Sequence, residues 1–241
     1  MRCFLPSVGA AALLAVAPVA SAAPDVHVDA FASTYVPVSV GVAARAELPM
    51  RIRTTVGVGT MPGPYLGMIN GIATGVGWYD DITGDLIAAA LKNSLIIHPR
   101  VGWRPVPALG FHADAGYQIA TLGGSLSGAE TLAVITGQEV PSEDGETLAE
   151  LEAAASDHMF TIEAGYQWVV KKRLVIDLSL GGMFTVGASS ELTPAGDAPT
   201  SPRYERRVDL FTAAGEAYLT QTLKSYVHTP TVGIMVGYRF L

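Results

Sequence analysis

Residues 95–120 read Leu95-Ile96-Ile97-His98-Pro99-Arg100-Val101-Gly102-Trp103-Arg104-Pro105-Val106-Pro107-Ala108-Leu109-Gly110-Phe111-His112-Ala113-Asp114-Ala115-Gly116-Tyr117-Gln118-Ile119-Ala120. In the first half Leu95, Ile97, Pro99, Val101 and Trp103 alternate with Ile96, His98, Arg100, Gly102 and Arg104. After Pro105-Val106-Pro107 the alternation resumes, with Leu109, Phe111, Ala113, Ala115, Tyr117 and Ile119 set against Gly110, His112, Asp114, Gly116 and Gln118. Successive side chains of a strand point to opposite faces. The stretch is therefore an antiparallel hairpin with one apolar face, and its charges all fall on the other face.

The same unit occurs before and after it. Val36, Val38, Val40, Val42, Ala44 and Ala46 alternate with Pro37, Ser39, Gly41, Ala43, Arg45 and Glu47; beyond a turn at 48–50, Ile52, Thr54, Val56 and Val58 oppose Arg51, Arg53, Thr55, Gly57 and Gly59. Phe160, Ile162, Ala164, Tyr166 and Trp168 oppose Thr161, Glu163, Gly165 and Gln167; beyond 170–173, Leu174, Ile176, Leu178, Leu180, Phe184 and Val186 oppose Asp177, Ser179, Gly181, Thr185 and Gly187. A soluble sandwich also alternates, so the environment has to be read from strand length and aromatic position. Strands of about 10–14 residues exceed the usual sheet strand and match a tilted membrane crossing. Trp103, Phe111, Tyr166, Trp168, Tyr238 and Phe240 sit on the apolar face near the short turns or the C-terminus, and Tyr117, Phe160 and Phe184 at its other end. Two aromatic girdles around an aliphatic band are the pattern of a membrane barrel, whereas a sandwich would bury its aromatics mid-strand. The opposite face carries Arg45, Glu47, Arg51, Arg53, His98, Arg100, Arg104, His112, Asp114, Glu163, Asp177 and Arg239. A charge facing lipid at the midplane costs about 2–4 kcal/mol, so this segregation is what a bilayer imposes. The expected fold is all-β: an antiparallel up-and-down transmembrane barrel whose interior holds these charges as one network. A proline cannot donate to a ladder, so a bulge is expected at Pro99.

Composition agrees with export to a membrane. Mean hydropathy is +0.34, yet no segment after residue 22 offers the 18 consecutive apolar residues of a membrane helix. Arg2, the apolar run Val8–Val19 and Ala20-Ser21-Ala22 have the layout of a secretory signal peptide cleaved after Ala22. The run is too short for an anchor. Residues 23–241 then form the barrel domain, without Cys3 and so without cysteine chemistry. The formal net charge of −7 becomes more negative once Arg2 is lost, and no nucleic-acid partner is expected.

The chain ends Thr231-Val232-Gly233-Ile234-Met235-Val236-Gly237-Tyr238-Arg239-Phe240-Leu241. This resembles the closing strand of bacterial outer-membrane β-barrel proteins of the small eight-stranded type, which commonly end in an alternation such as Tyr-x-Phe; here Leu241 follows the Phe. The resemblance implies residence in the bacterial outer membrane among its lipids, and a closing strand read by the barrel-insertion machinery. Turns at 48–50, 105–108 and 170–173 are short, as periplasmic turns are, whereas 61–94, 123–156 and 189–226 are long, as extracellular loops are. A first strand over 26–33, with Val26, Val28, Ala30 and Ala32 outward and a turn near Ser33-Thr34-Tyr35, brings the count to eight with both termini periplasmic. Helices are expected in the loops over Asp80–Lys92, Glu146–Ser156 and Val208–Tyr226.

No phosphate-binding loop, dinucleotide fingerprint or zinc spacing appears, and neither cofactor nor metal is expected. His112 and Asp114 share a strand face as catalytic or ligating pairs do, but the interior of an eight-stranded barrel is filled by side chains, which favours a packed network. A lipid acyl hydrolase or transferase needs a nucleophile and base at the lipid-facing rim, for which Ser156, His158 and His228 are the candidates. A narrow solute pore is a third class; mixed charge across the lumen argues for closure. The reading that results is a non-enzymatic barrel serving envelope structure, adhesion or ligand binding through its outer loops.

Overall fold

The computed structural model describes residues 26–75, 77, 84, 93–106, 109–126, 151–194, 202–226 and 228–240. The expected signal segment and, apart from Gly84, the expected helix over Asp80–Lys92 lie outside them. The described elements are β1 (His27–Val36), β2 (Ser39–Glu47), β3 (Ile52–Thr60), α1 (Gly63–Gly75), β4 (Asn93–Trp103), β5 (Phe111–Leu126), β6 (Leu151–Val170), β7 (Leu174–Pro194), α2 (Pro202–Tyr226) and β8 (His228–Arg239). The eight strands form a closed barrel in sequence order. Each pairs antiparallel with the next, and β8 returns to β1 through rungs such as Asp29↔Arg239 and Val36↔Val232. Closure leaves no free sheet edge along the shared barrel wall, so backbone groups there are bonded without help from water.

Alternation decides which way the wall faces. Val42 is 64% exposed and Leu180 61%, while Arg45 is 2% exposed and His112 0%. The barrel is inside-out relative to a water-soluble protein. Its aliphatic belt would be an aggregation surface in water and is at rest in hydrocarbon. The nine girdle aromatics all lie on this outer surface, with Tyr166 beside Trp168 (ring centroids 4.8 Å apart) and Tyr238 beside Phe240 (5.3 Å).

The interior has two halves. Toward the short turns it is charged. Toward the long loops it is mainly an apolar cluster that includes Val38, Ile96, Leu122, Met159 and Met183, packed against Leu66 of α1 and Leu223 of α2, with Gln118 and Asp157 also buried at this level. Tyr65 of α1 is hydrogen-bonded to Thr34 at 2.6 Å, and Glu216 of α2 receives the Leu192 backbone N–H at 2.9 Å. Both helices are thus tied to the loop end of the wall.

Several local expectations are corrected. The first hairpin turns at Pro37-Val38, not near Ser33–Tyr35, because Pro37 cannot continue a ladder and the Val38 N–H bonds back to Tyr35. Val38 therefore packs inside instead of facing lipid. Pro99 causes no bulge. The β4–β5 ladder only omits the rungs of His98 and Pro99, and the register is the same on either side. The bulge is on β7, where His158 faces Gly187 but Met159 faces Thr185, leaving Val186 as the extra residue. Beyond it the inward parity switches, which brings Leu192 to the interior. Residues 151–156, expected to be helical, are strand: pairing with both β5 and β7 outweighs the helix propensity of alanine. α1 was not anticipated, and α2 begins before the expected Val208.

Packing of the charged half depends on close approach. A Cβ at Gly165 would lie 2.5 Å from the Leu178 carbonyl oxygen and 2.6 Å from the His112 ring. Gly165→Val is expected to destabilise the barrel by about 1–3 kcal/mol, read as a lower unfolding temperature in detergent.

Candidate functional site

The turn half of the interior is the most concentrated set of polar side chains described. β2, β3, β4, β5, β6 and β7 each contribute inward residues that the two-residue period stacks at matching heights. Asp177 of β7 is the hub: Oδ2 accepts from Arg45 at 2.8 Å and from Arg53 at 3.0 Å, and Oδ1 lies 3.3 Å from His112 Nε2. His112 Nδ1 lies 2.9 Å from Asp114, which also pairs with Arg53 at 3.0 Å. Higher up, Glu163 accepts from Arg100 at 2.9 Å and from the Ser179 hydroxyl at 3.1 Å, while His98 bonds Thr161 at 2.9 Å. Nearest the turns, Glu47 bridges Arg104 at 2.9 Å and Arg239 at 3.3 Å. Arg239 also grips Asp29 through two bonds of 2.8 and 3.0 Å, a bidentate fork.

Two aromatics cap the network toward the apolar half. The Arg45 guanidinium sits 4.6 Å from the Phe31 ring centre and that of Arg100 4.8 Å from Tyr35. Met235 turns its sulfur toward Tyr35, Arg45 and Arg100. Arg45, Arg53, His112, Asp29, Asp177 and Met235 leave 2% or less of their surface open to water. A water-filled bore would wet its lining. These six are closed off from solvent in the structure.

This is a transmembrane barrel with a solid, charge-paired interior. No protein-family profile and no curated protein matches the sequence. Its fold is similar to the N-terminal β-barrel domain of Pseudomonas aeruginosa OprF (11% identity, 89% of this chain and 96% of that one, TM-score 0.40). It is likewise similar to a major outer membrane protein from Thermus thermophilus (16%, 89% and 98%, 0.45) and to Acinetobacter baumannii CarO (10%, 89% and 97%, 0.34).

Of the anticipated network residues, Arg51 alone is misplaced. It lies in the β2–β3 turn with φ of 67°, is exposed, and donates to the Pro105 carbonyl, because alternation ends where the chain turns. Asp29, Phe31, Tyr35, Gln167 and Met235 take part without having been singled out. Asp29 and Phe31 were legible from their inward parity; Tyr35 was hidden by the misplaced turn.

The rim candidates lie on the outward face of β6. Ser156 Oγ is 3.3 Å from His158 Nε2, and His158 Nδ1 is 3.0 Å from the Tyr117 hydroxyl. His228 starts β8 opposite Phe184, two strands away from β6 and level with Phe160 rather than with His158 or Ser156. The structure thus brings Ser156 and His158 together, with Tyr117 on the far nitrogen of the ring. Ser156 itself is paired in both ladders, opposite Thr121 and Ser189. The β7 bulge at Val186 lies beside His158, two residues along β6 from Ser156.

The hub makes a sharp expectation. Asp177→Ala leaves two buried guanidiniums short of their shared counter-ion and should cost about 3–5 kcal/mol, measured by denaturant unfolding in detergent. A loss below that of Glu47→Ala, whose partners are less buried, would mean that the hub is hydrated.

Proposed function

We propose that the protein is exported with cleavage after Ala22, inserts into the bacterial outer membrane, and acts there as a non-conducting, non-enzymatic anchor. Its short turns face the periplasm. Its working surface is the opposite end, where β5–β7 run past the Tyr117–Phe160–Phe184 girdle and α1 and α2 close the mouth. Envelope structure, adhesion or ligand binding are the roles such a surface serves. The observation that supports the reading is the buried charge layer, in which six lumen residues are at 2% exposure or less. Barrel assembly through the closing strand, ending Tyr238-Arg239-Phe240, is part of the same proposal.

An acyl-transfer role is less well supported. The Ser156–His158–Tyr117 contact offers a chain of hydrogen bonds, but Ser156 stands in ladder pairing on both sides, and what supports the anchor reading is the buried charge layer.

Full-length protein in planar bilayers is expected to show no steady ohmic conductance. On intact cells, an impermeant thiol reagent should label a Glu191→Cys variant and spare Lys172→Cys. Stable conductance would replace the anchor with a pore, and the reverse labelling would invert the barrel.

A further inference from the structure

The short turns at the end opposite the helices carry basic residues in backbone conformations that disfavour them. Among the described residues, the non-glycine positions with positive φ are Met50 (69°), Arg51 (67°), Lys171 (51°) and Lys172 (65°). Three of these four are cationic, and all four stand on the same rim. The Arg173 N–H bonds the Val170 carbonyl at 3.2 Å, so Lys171 and Lys172 are the central pair of a two-residue hairpin turn. A turn with both central residues at positive φ favours Asn-Gly, because a Cβ is crowded there. Lys-Lys is a poor choice for the backbone. What it adds is charge.

Among the described residues that charge is not matched by an ion pair. Arg51, Lys171, Lys172 and Arg173 are exposed. The acids of this end, Asp29, Glu47, Asp114 and Asp177, are buried and already engaged by Arg239, Arg104, Arg53 and Arg45. Among the described residues neither lysine has an acid within ion-pair distance. Arg173 is steadied against the girdle, bonding the Tyr238 hydroxyl with its guanidinium 5.8 Å from that ring. Trp103, Tyr166, Trp168 and Tyr238 mark the level where acyl chains give way to headgroups. The cations stand just beyond it, at the depth of lipid phosphates. At the far end of the wall the exposed residues include Glu152 and Glu191, so the basic rim is not a general feature of the surface.

We propose that the β6–β7 turn, with Lys171 and Lys172 at its tip and Arg173 beside them, binds the phosphate groups of anionic phospholipid in the leaflet at the turn end; Arg51, in the β2–β3 turn on the other side of the barrel, stands apart from this cluster. The inference rests on the membrane reading above. Flexible ammonium groups beside a low-dielectric slab attract anionic headgroups at close range, and salt weakens the attraction. Placing them on a tight turn fixes where they stand, at some cost in backbone stability.

The test reconstitutes the full chain into vesicles of phosphatidylcholine alone and of phosphatidylcholine mixed with phosphatidylglycerol, then counts lipids retained after mild detergent extraction by native mass spectrometry. Wild type is expected to retain phosphatidylglycerol severalfold over its share of the vesicle. The double substitution K171N and K172G is expected to unfold at higher temperature than wild type and to lose most of that enrichment, with Arg51→Gln, across the barrel, leaving it largely unchanged. Protease protection in both vesicle types shows whether the barrel has inserted, which separates failure of the membrane reading from failure of this one. The proposal is overturned if inserted wild type shows no enrichment or if the Asn-Gly variant keeps it. It is equally overturned if that variant is no more stable than wild type.

Discussion

Everything in this barrel follows from having to enclose ionised groups that water does not reach. A guanidinium or carboxylate removed from water costs several kcal/mol unless an opposite charge and enough hydrogen bonds replace the solvent. The structure meets the charge part of that requirement by giving Arg45, Arg53, Arg100, Arg104 and Arg239 each a carboxylate within 3.0 Å. The arrangement inverts an ordinary globular core. Apolar residues outside are solvated by lipid, and the polar ones hold the strands together from within.

Pairing on this scale constrains the wall. Partners on different strands meet only if the register is kept all the way round, since a one-residue slip sends a strand's charges into the lipid. Asp177 makes the point, because it meets Arg45, Arg53 and His112 on three other strands. Glycines at 102, 116 and 165 open the room these long side chains need: a Cβ at each would strike Asp114, Arg100 or His112 respectively. Where the charges end, the demands relax. The β7 bulge at Val186 lies above the network, as do the apolar cluster and the helices that close it.

Much of this was readable from alternation. The two-residue period, the segregation of charge and the girdle positions of Trp103, Tyr117 and Phe184 point to the barrel, its topology and most of its lumen residues, because a bilayer penalises each violation. What stayed hidden is what no periodicity encodes. Arg51 continues the inward parity in sequence but lies in a turn, where φ and not parity sets direction. Glu146–Ser156 is rich in helix formers, yet residues 151–156 are claimed by strands on both sides. α1 carries Gly63, Gly67, Gly71 and Gly75 and so gives almost no helical signal; contacts such as Tyr65–Thr34 hold it instead. Ser156 and His158 were legible as neighbours, two apart on one face, whereas the role of Tyr117 toward His158 required the β5–β6 register.

The central claim is that lumen charges stabilise the barrel as matched, dehydrated pairs. A double-mutant cycle on Arg100 and Glu163, using Arg100→Leu, Glu163→Leu and the double variant in detergent unfolding, addresses it directly. Each single variant strands a buried charge; the double strands none. The account predicts that the double variant is more stable than either single, with a coupling energy of about 2–3 kcal/mol, at the upper end for contacting residues. Losses that simply add would contradict it, and would show that water solvates each charge independently inside the barrel.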